Sequence, residues 1–149
     1  MSSLFYFKKF KIDQTNCAMK VNTDGVLIAA LADFNEPKKV LDVGTGSGLI
    51  ALMLAQKYPK SMIHGVEINE DSANAARKNF SNSPFDDRIF LFNSSIKDHF
   101  LTRKECYDLI ISNPPFFINS LTSQNLQKSM ARHTDLSFFD ELLVHSVNH

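Results

Sequence analysis

Val40-Leu41-Asp42-Val43-Gly44-Thr45-Gly46-Ser47-Gly48-Leu49-Ile50 runs from three branched apolar residues around Asp42, through three alternating glycines, into an apolar stretch that continues to Ala55. The first four residues suit a strand buried on both faces. The glycines let the backbone turn sharply and approach a ligand, with the N-terminus of the next segment pointing at it. Ser47 to Lys57 is apolar nearly all round (Leu49, Ile50, Leu52, Met53, Leu54), as in a helix packed against a sheet. Strand, glycine turn and helix follow one another without a gap.

The same alternation continues in both directions. Ile63-His64-Gly65-Val66-Glu67-Ile68, Arg88-Ile89-Phe90-Leu91-Phe92 and Asp108-Leu109-Ile110-Ile111-Ser112 have the composition of further buried strands. Asn69 is placed to cap a helix carrying Ala73, Ala76 and Phe80 on one face, and Asp24 to Phe34 reads as an earlier helix stopped by Pro37. Ser137-Phe138-Phe139-Asp140 resembles a capping box opening a last helix, and Asn119 to Asp135 reads as a loop. Strands alternating with helices predict an α/β fold with a parallel sheet and helices on both faces. In such sheets ligands bind beyond the carboxyl ends of the strands.

Composition narrows the field. A chain of 149 residues has room for one domain. With 44% hydrophobic and 21% charged residues, and five glycines and five prolines, it is neither disordered nor low-complexity. Lysine plus arginine balances aspartate plus glutamate at 16 each, so no overall field draws the chain to nucleic acid or to an anionic membrane. Cys17 and Cys106 form no CxxC pair, and the histidines show no metal-ligand spacing, so no metal is expected. Leu4-Phe5-Tyr6-Phe7 is too short for a signal core, and no run approaches a membrane span; the expectation is a soluble cytoplasmic chain.

Chemistry gathers at the strand ends. Glu67 lies about 20 residues past the glycines, where a carboxylate can accept both hydroxyl hydrogens of a ribose. A G-x-G-x-G turn with Asp42 just ahead of it disfavours a pyrophosphate but suits a cofactor bearing a cationic amino group. S-adenosylmethionine offers both the ribose and the amino group. The fourth strand ends in Asn113-Pro114-Pro115-Phe116. Prolines supply carbonyls without N–H groups. The Asn113 oxygen and the Pro114 carbonyl can together accept both hydrogens of a planar –NH2 group, aiming its nitrogen at an incoming methyl group, while Phe116 supplies a flat face for a base.

These motifs resemble the class I S-adenosylmethionine-dependent methyltransferases of the amino-methylating N-P-P-[YF] group, and more narrowly the bacterial tRNA(Val) adenine-N6 methyltransferases. The likeness includes Phe10-Lys11, Met19-Lys20-Val21, Thr23-Asp24-Gly25-Val26-Leu27, the glycine loop, Val66-Glu67, Ser83-Pro84-Phe85, Asn113 to Phe116 and Ala131-Arg132-His133. It implies a Rossmann-like fold with four parallel strands in the order 3-2-1-4. Residues 1–36 would form an N-terminal segment and helix over the cofactor site, and residues 37–149 the first part of the methyltransferase domain. It implies Lys20, Asp24, Asp42, Gly44, Gly46, Glu67 and Ser95 around the cofactor, Asn113, Pro114 and Phe116 at the reacting adenine, and Pro115, Arg132 and His133 on the RNA. The adenine would be flipped out of an anticodon loop.

Two departures stand out. Family members usually carry an acid before the isoleucine after the third strand, where this chain has Ser94-Ser95-Ile96. The family's sheet also has seven strands against the four legible here, which predicts a truncated chain whose fourth strand is an open edge for self-association. Two other functions fit the same residues. A protein glutamine-N5 methyltransferase presents the same two amide hydrogens to an N-P-P segment, and a non-catalytic fragment would bind the cofactor alone. Lys8, Lys9 and Lys11 interleave with Phe7 and Phe10, a pattern equally suited to RNA phosphates or to a solvated face.

Overall fold

A computed structural model describes residues 3–15, 17, 20–114 and 138–147. An antiparallel hairpin comes first, β1 (Leu4–Tyr6) paired with β2 (Lys11–Asp13). Helix α1 (Thr23–Leu31) follows, its first turn capped by the Asn22 side chain accepting from Gly25 N–H at 2.8 Å. Then come β3 (Lys39–Val43), α2 (Leu49–Lys57), β4 (Met62–Glu67), α3 (Glu70–Ser81), β5 (Ile89–Asn93), α4 (Ile96–Thr102) and β6 (Leu109–Ser112). Residues 138–147 are helical.

β3 to β6 make one parallel sheet in the spatial order β5-β4-β3-β6. Numbered among themselves, the four strands run 3-2-1-4, as expected. Their pleat divides the core in two. Val40, Ile63 and Ile89, with the half-buried Leu109 and Ile111, face α1, α2, α3 and the hairpin. Leu41, Val43 and Val66, with Ile110, face α4 and the helical residues Phe138 and Leu142. Leu41, Leu52, Leu54 and Ile63 are sealed completely, and each such side chain contributes about 1.5–3 kcal/mol of burial.

Local chemistry sets the boundaries. Asn69 caps α3, accepting from Ser72 N–H at 2.9 Å, and Glu70 and Asp71 lie in its first turn, where the helix dipole favours negative charge. Asp108 pins the foot of β6 to β3, one carboxylate oxygen accepting from Lys38 N–H (2.7 Å) and Lys39 N–H (2.9 Å). On the α4 side of the sheet, Tyr107 Oη lies 2.9 Å from His64 Nδ1 and 2.8 Å from His99 Nε2. Glu105 stands 3.4 Å from His64 Nδ1 and 3.0 Å from Lys39 Nζ. Burial pushes both histidines down to about 4, so the two rings are neutral packing residues of the core.

Two elements differ from expectation. The segment read only as basic and aromatic folds as the β1–β2 hairpin, because Phe5, Phe7, Phe10 and Ile12 fall on the same face. The Ser94-Ser95-Ile96 step opens α4, with Ser95 as its N-cap. Of the described residues, no helix is long and apolar enough to cross a membrane.

Candidate functional site

Parallel strands end on one side, and the sheet register lines up their last residues. Val43 pairs with Val66 on one flank and with Ser112 on the other. Gly44, Glu67 and Asn113 therefore leave three neighbouring strands side by side, and Ser112 Oγ donates to Val43 O at 2.8 Å across one of the seams.

The turn after β3 is fixed by β4. Gly44 N–H and Thr45 N–H both donate to Val66 O, at 2.8 and 3.0 Å. Gly44 and Gly46 have φ of +70° and +57°, the left-handed region that side chains avoid. A methyl group on either would meet no atom within 4 Å, so the space above the turn is open. Gly48 differs: a methyl group there would run into the Phe80 ring of α3. Two of the three glycines thus leave room for a ligand, and the third makes room for the protein's own helix.

Asp42 is wholly buried. One carboxylate oxygen accepts from the Thr45 hydroxyl (2.6 Å) and from Ala51 N–H (3.1 Å), tying β3 to the turn and to α2, while Oδ1 has no partner among the described residues. Burial drives its carboxyl up to about 7 against the hydrogen bonds from Thr45 and Ala51, and the Glu67 charge adds to the rise. The raised value means that the folded state holds this proton more tightly than the unfolded chain. Its stabilising contribution is complete below about pH 4 and lost as the pH rises through about 7. In Asp42→Asn the amide oxygen keeps both hydrogen bonds. Urea unfolding is expected to show a wild-type midpoint that falls between pH 5 and pH 8 and a variant midpoint with a flatter dependence and a higher value at pH 8.

Glu67 closes β4 with both oxygens engaged by backbone. Oε2 accepts from Gly46 N–H at 2.9 Å and Oε1 from Asn69 N–H at 2.8 Å. Each oxygen retains a lone pair, so the carboxylate is fixed in place yet still able to accept. Ser95 also opens α4. Its hydroxyl donates to the Asp98 carboxylate (2.8 Å) and accepts Asp98 N–H (3.0 Å), so it serves first as the α4 cap. The neighbouring Ser94 hydroxyl is buried without a partner among the described residues.

Asn113 and Pro114 follow β6 and are half-buried. The Asn113 carboxamide faces the start of α1: a methyl group on Gly25 would lie 3.6 Å from its Nδ2 and 3.4 Å from Asn22 Oδ1. Lys20 and Asp24, at the entry to that helix, are exposed. Pro115, Phe116, Arg132 and His133 lie outside the described residues.

One residue escaped the sequence reading. Asn79 on α3 is 3% exposed, its Oδ1 accepting from Asp13 N–H (2.9 Å) and its Nδ2 donating to Asp13 O (2.9 Å) and Ser47 O (2.8 Å). One carboxamide thereby joins the hairpin to the glycine turn. The available signal was its place beside Phe80 and one turn after Ala76, a polar group on an apolar helix face, which is tolerated only where it is hydrogen-bonded.

An open glycine turn, a fixed carboxylate with lone pairs to spare and an unpartnered buried carboxylate oxygen suit a ligand that carries both a ribose and a cationic amino group. The family described as "Methyltransferase small domain" matches residues 18–137. A tRNA1(Val) (adenine(37)-N6)-methyltransferase of Pedobacter heparinus is 50% identical over 143 residues, covering 96% of this chain and 60% of that protein. One of the same name from Porphyromonas gingivalis is 46% identical, covering 95% and 58%. The chain thus spans about three fifths of the length of these curated relatives. Among solved structures, the delta-N METTL16 MTase domain is similar with a TM-score of 0.57 and 26% identity, covering 73% of this chain and 48% of that one. An SAH-bound methyltransferase of Podospora anserina has a TM-score of 0.56 at 24% identity, covering 64% and 42%, a likeness of fold.

Proposed function

Because the chain belongs to the methyltransferase small domain family, we propose that it is the cofactor-binding part of an S-adenosylmethionine-dependent enzyme that methylates the exocyclic N6 of an adenine in tRNA. The observation that carries this reading is the register that sets the glycine turn, Glu67 and Asn113 at adjacent strand ends. The names of the relatives supply the nucleic acid and the atom modified. A cytoplasmic location, alongside tRNA, is part of the same proposal.

S-adenosylmethionine supplies an electrophilic methyl group on a sulfonium. Glu67, held by Gly46 and Asn69, accepts the ribose hydroxyls through its remaining lone pairs. Gly44 and Gly46 leave space for the chain of the cofactor, and Asp42 Oδ1, buried and unpartnered among the described residues, is left as an acceptor for its amino group. Lys20 and Asp24 stand at the mouth, and Ser95 offers the one lone pair that its cap leaves free. The Asn113 oxygen and the Pro114 carbonyl each accept one hydrogen of the adenine amino group. That grip would withdraw the amino nitrogen from conjugation with its ring and steady the positive charge that grows on it as the N–C bond to the methyl group forms. The S–C bond breaks in the same step, its electron pair returning to sulfur as the thioether S-adenosylhomocysteine. One of those hydrogens would then leave as a proton to solvent, restoring a neutral amine. Pro115 and Phe116 would pack on the flipped base, and Arg132 and His133 would meet the RNA.

The test is transfer of labelled methyl from S-adenosylmethionine to unmodified tRNA(Val), followed by nucleoside analysis. The expected product is N6-methyladenosine. Methylation of a glutamine in release factor instead, or of no substrate despite cofactor binding, overturns the reading.

A further inference from the structure

The β1–β2 hairpin has two faces of different character. Phe5 pairs with Ile12 and Tyr6 with Lys11, while Phe7 N–H donates to Phe10 O at 2.8 Å, leaving Lys8 and Lys9 as the tip. Phe10 and Ile12 enter the core, and Phe7 stacks on Phe10 at 4.6 Å with ring planes 17° apart. The opposite face presents Tyr6, 69% exposed, across from the exposed Lys11, with Lys8 and Lys9 beyond them. None of these three lysines makes an ion pair among the described residues. The chain as a whole is neutral, so this acid-free run of positive charge is a local feature.

The hairpin is also anchored. Asn79 joins its Asp13 end to Ser47 of the glycine turn, and Lys78 pairs with the Asp13 carboxylate at 2.9 Å. Hydrogen bonds from the Thr15 hydroxyl and then Lys78 hold that carboxyl below the usual range, so it stays ionised and bound. A basic tip with an exposed ring is therefore carried in fixed relation to the cofactor turn. Lysines at this density meet phosphates, and a solvent-facing tyrosine ring offers an unpaired base a surface to stack on.

We propose that the β1–β2 hairpin is an RNA-contacting finger, in which Lys8, Lys9 and Lys11 engage the phosphate backbone of the tRNA substrate and Tyr6 stacks on an unpaired base. This deepens the tRNA reading above and rests on it. A finger held beside the glycine turn positions the RNA before its adenine enters the pocket.

Binding of fluorescently labelled tRNA(Val) to the chain, followed by anisotropy across roughly 50 to 200 mM salt, tests the finger directly. Each lost phosphate contact lowers the slope of log affinity against log salt by about 0.7–0.9. Lys8→Gln/Lys9→Gln/Lys11→Gln is expected to lower the slope by about 2 and weaken binding about tenfold or more at the lower salt. The triple Lys→Arg variant should bind like wild type. Tyr6→Ala should weaken binding with the slope unchanged. Calorimetry with S-adenosylmethionine should give wild-type affinity for every variant. A glutamine variant with wild-type affinity and slope overturns the finger, as does a wild-type chain that binds S-adenosylmethionine but no tRNA. A wild-type chain that binds no S-adenosylmethionine, yet shows the lysine-dependent slope, supports the finger and sinks the methyl-transfer reading instead.

Discussion

Replacing Asn113 with alanine is expected to lower the rate constant for methyl transfer by about a hundred- to a thousandfold while S-adenosylmethionine still binds within a few fold of wild type. The magnitude is that of removing one preorganised partner of developing charge. Here the charge is positive and the lost group is an acceptor, so the loss falls on the transition state more than on the bound ground state. Asn113 emerges alongside Gly44 and packs toward the start of α1, so its carboxamide has a fixed origin at the end of β6. Asn113→Asp keeps an oxygen at the same place and should recover part of the rate. Single-turnover transfer to tRNA, measured beside cofactor calorimetry, separates the two effects. An alanine variant that loses cofactor binding and rate in parallel would reassign Asn113 to the cofactor pocket.

Glu67→Ala should fail on binding itself. Two backbone N–H groups, from Gly46 and Asn69, lose a charged acceptor at once. Hydrogen bonds to a charged group are worth about 1.5–3 kcal/mol each, and the ribose loses its acceptor in the same stroke. A fall in S-adenosylmethionine affinity of at least a hundredfold, about 2.7 kcal/mol, follows. The fold should survive, because Val66 O still holds Gly44 and Thr45 and Asn69 still caps α3. Glu67→Gln is the sharper variant. It offers an oxygen to only one of the two N–H groups and should bind between the extremes. Calorimetry, with far-ultraviolet circular dichroism as the control for folding, checks both. An alanine variant with wild-type affinity would remove Glu67 from the site.

The parallel sheet was legible because its signals are local and reinforce one another. A branched strand, a glycine turn that needs positive φ at residues 44 and 46, and an apolar helix have few alternative arrangements. Glu67 was legible for a related reason: its distance from the turn is set by one helix and one strand. The hairpin was harder to see. Its strands are three residues long, and Lys8-Lys9 carries none of the glycine or asparagine that usually marks a tight turn. The alternation of Phe7, Phe10 and Ile12 with lysines reported burial, but only pairing could say against what. α4 escaped for want of length, being seven residues with a polar first turn. Gly48 and Asn79 illustrate the deeper limit. Besides its φ of +87°, Gly48 has no room for a side chain because Phe80 arrives from α3, and Asn79 is polar because Asp13 and Ser47 lie within its reach. Partners supplied by the folded chain leave no trace in spacing along it.

Tyr107 has a single hydrogen and stands between two imidazoles. Glu105 beside His64 Nδ1 favours a proton on that nitrogen, so the His64 ring donates and the tyrosine passes its own hydrogen on to His99 Nε2. A neutral His99 must then carry its hydrogen on Nδ1, the buried atom that meets no acceptor among the described residues. The thread of donors crossing from β4 to α4 thus has one direction, and its unmet end falls on His99, inside the short helix.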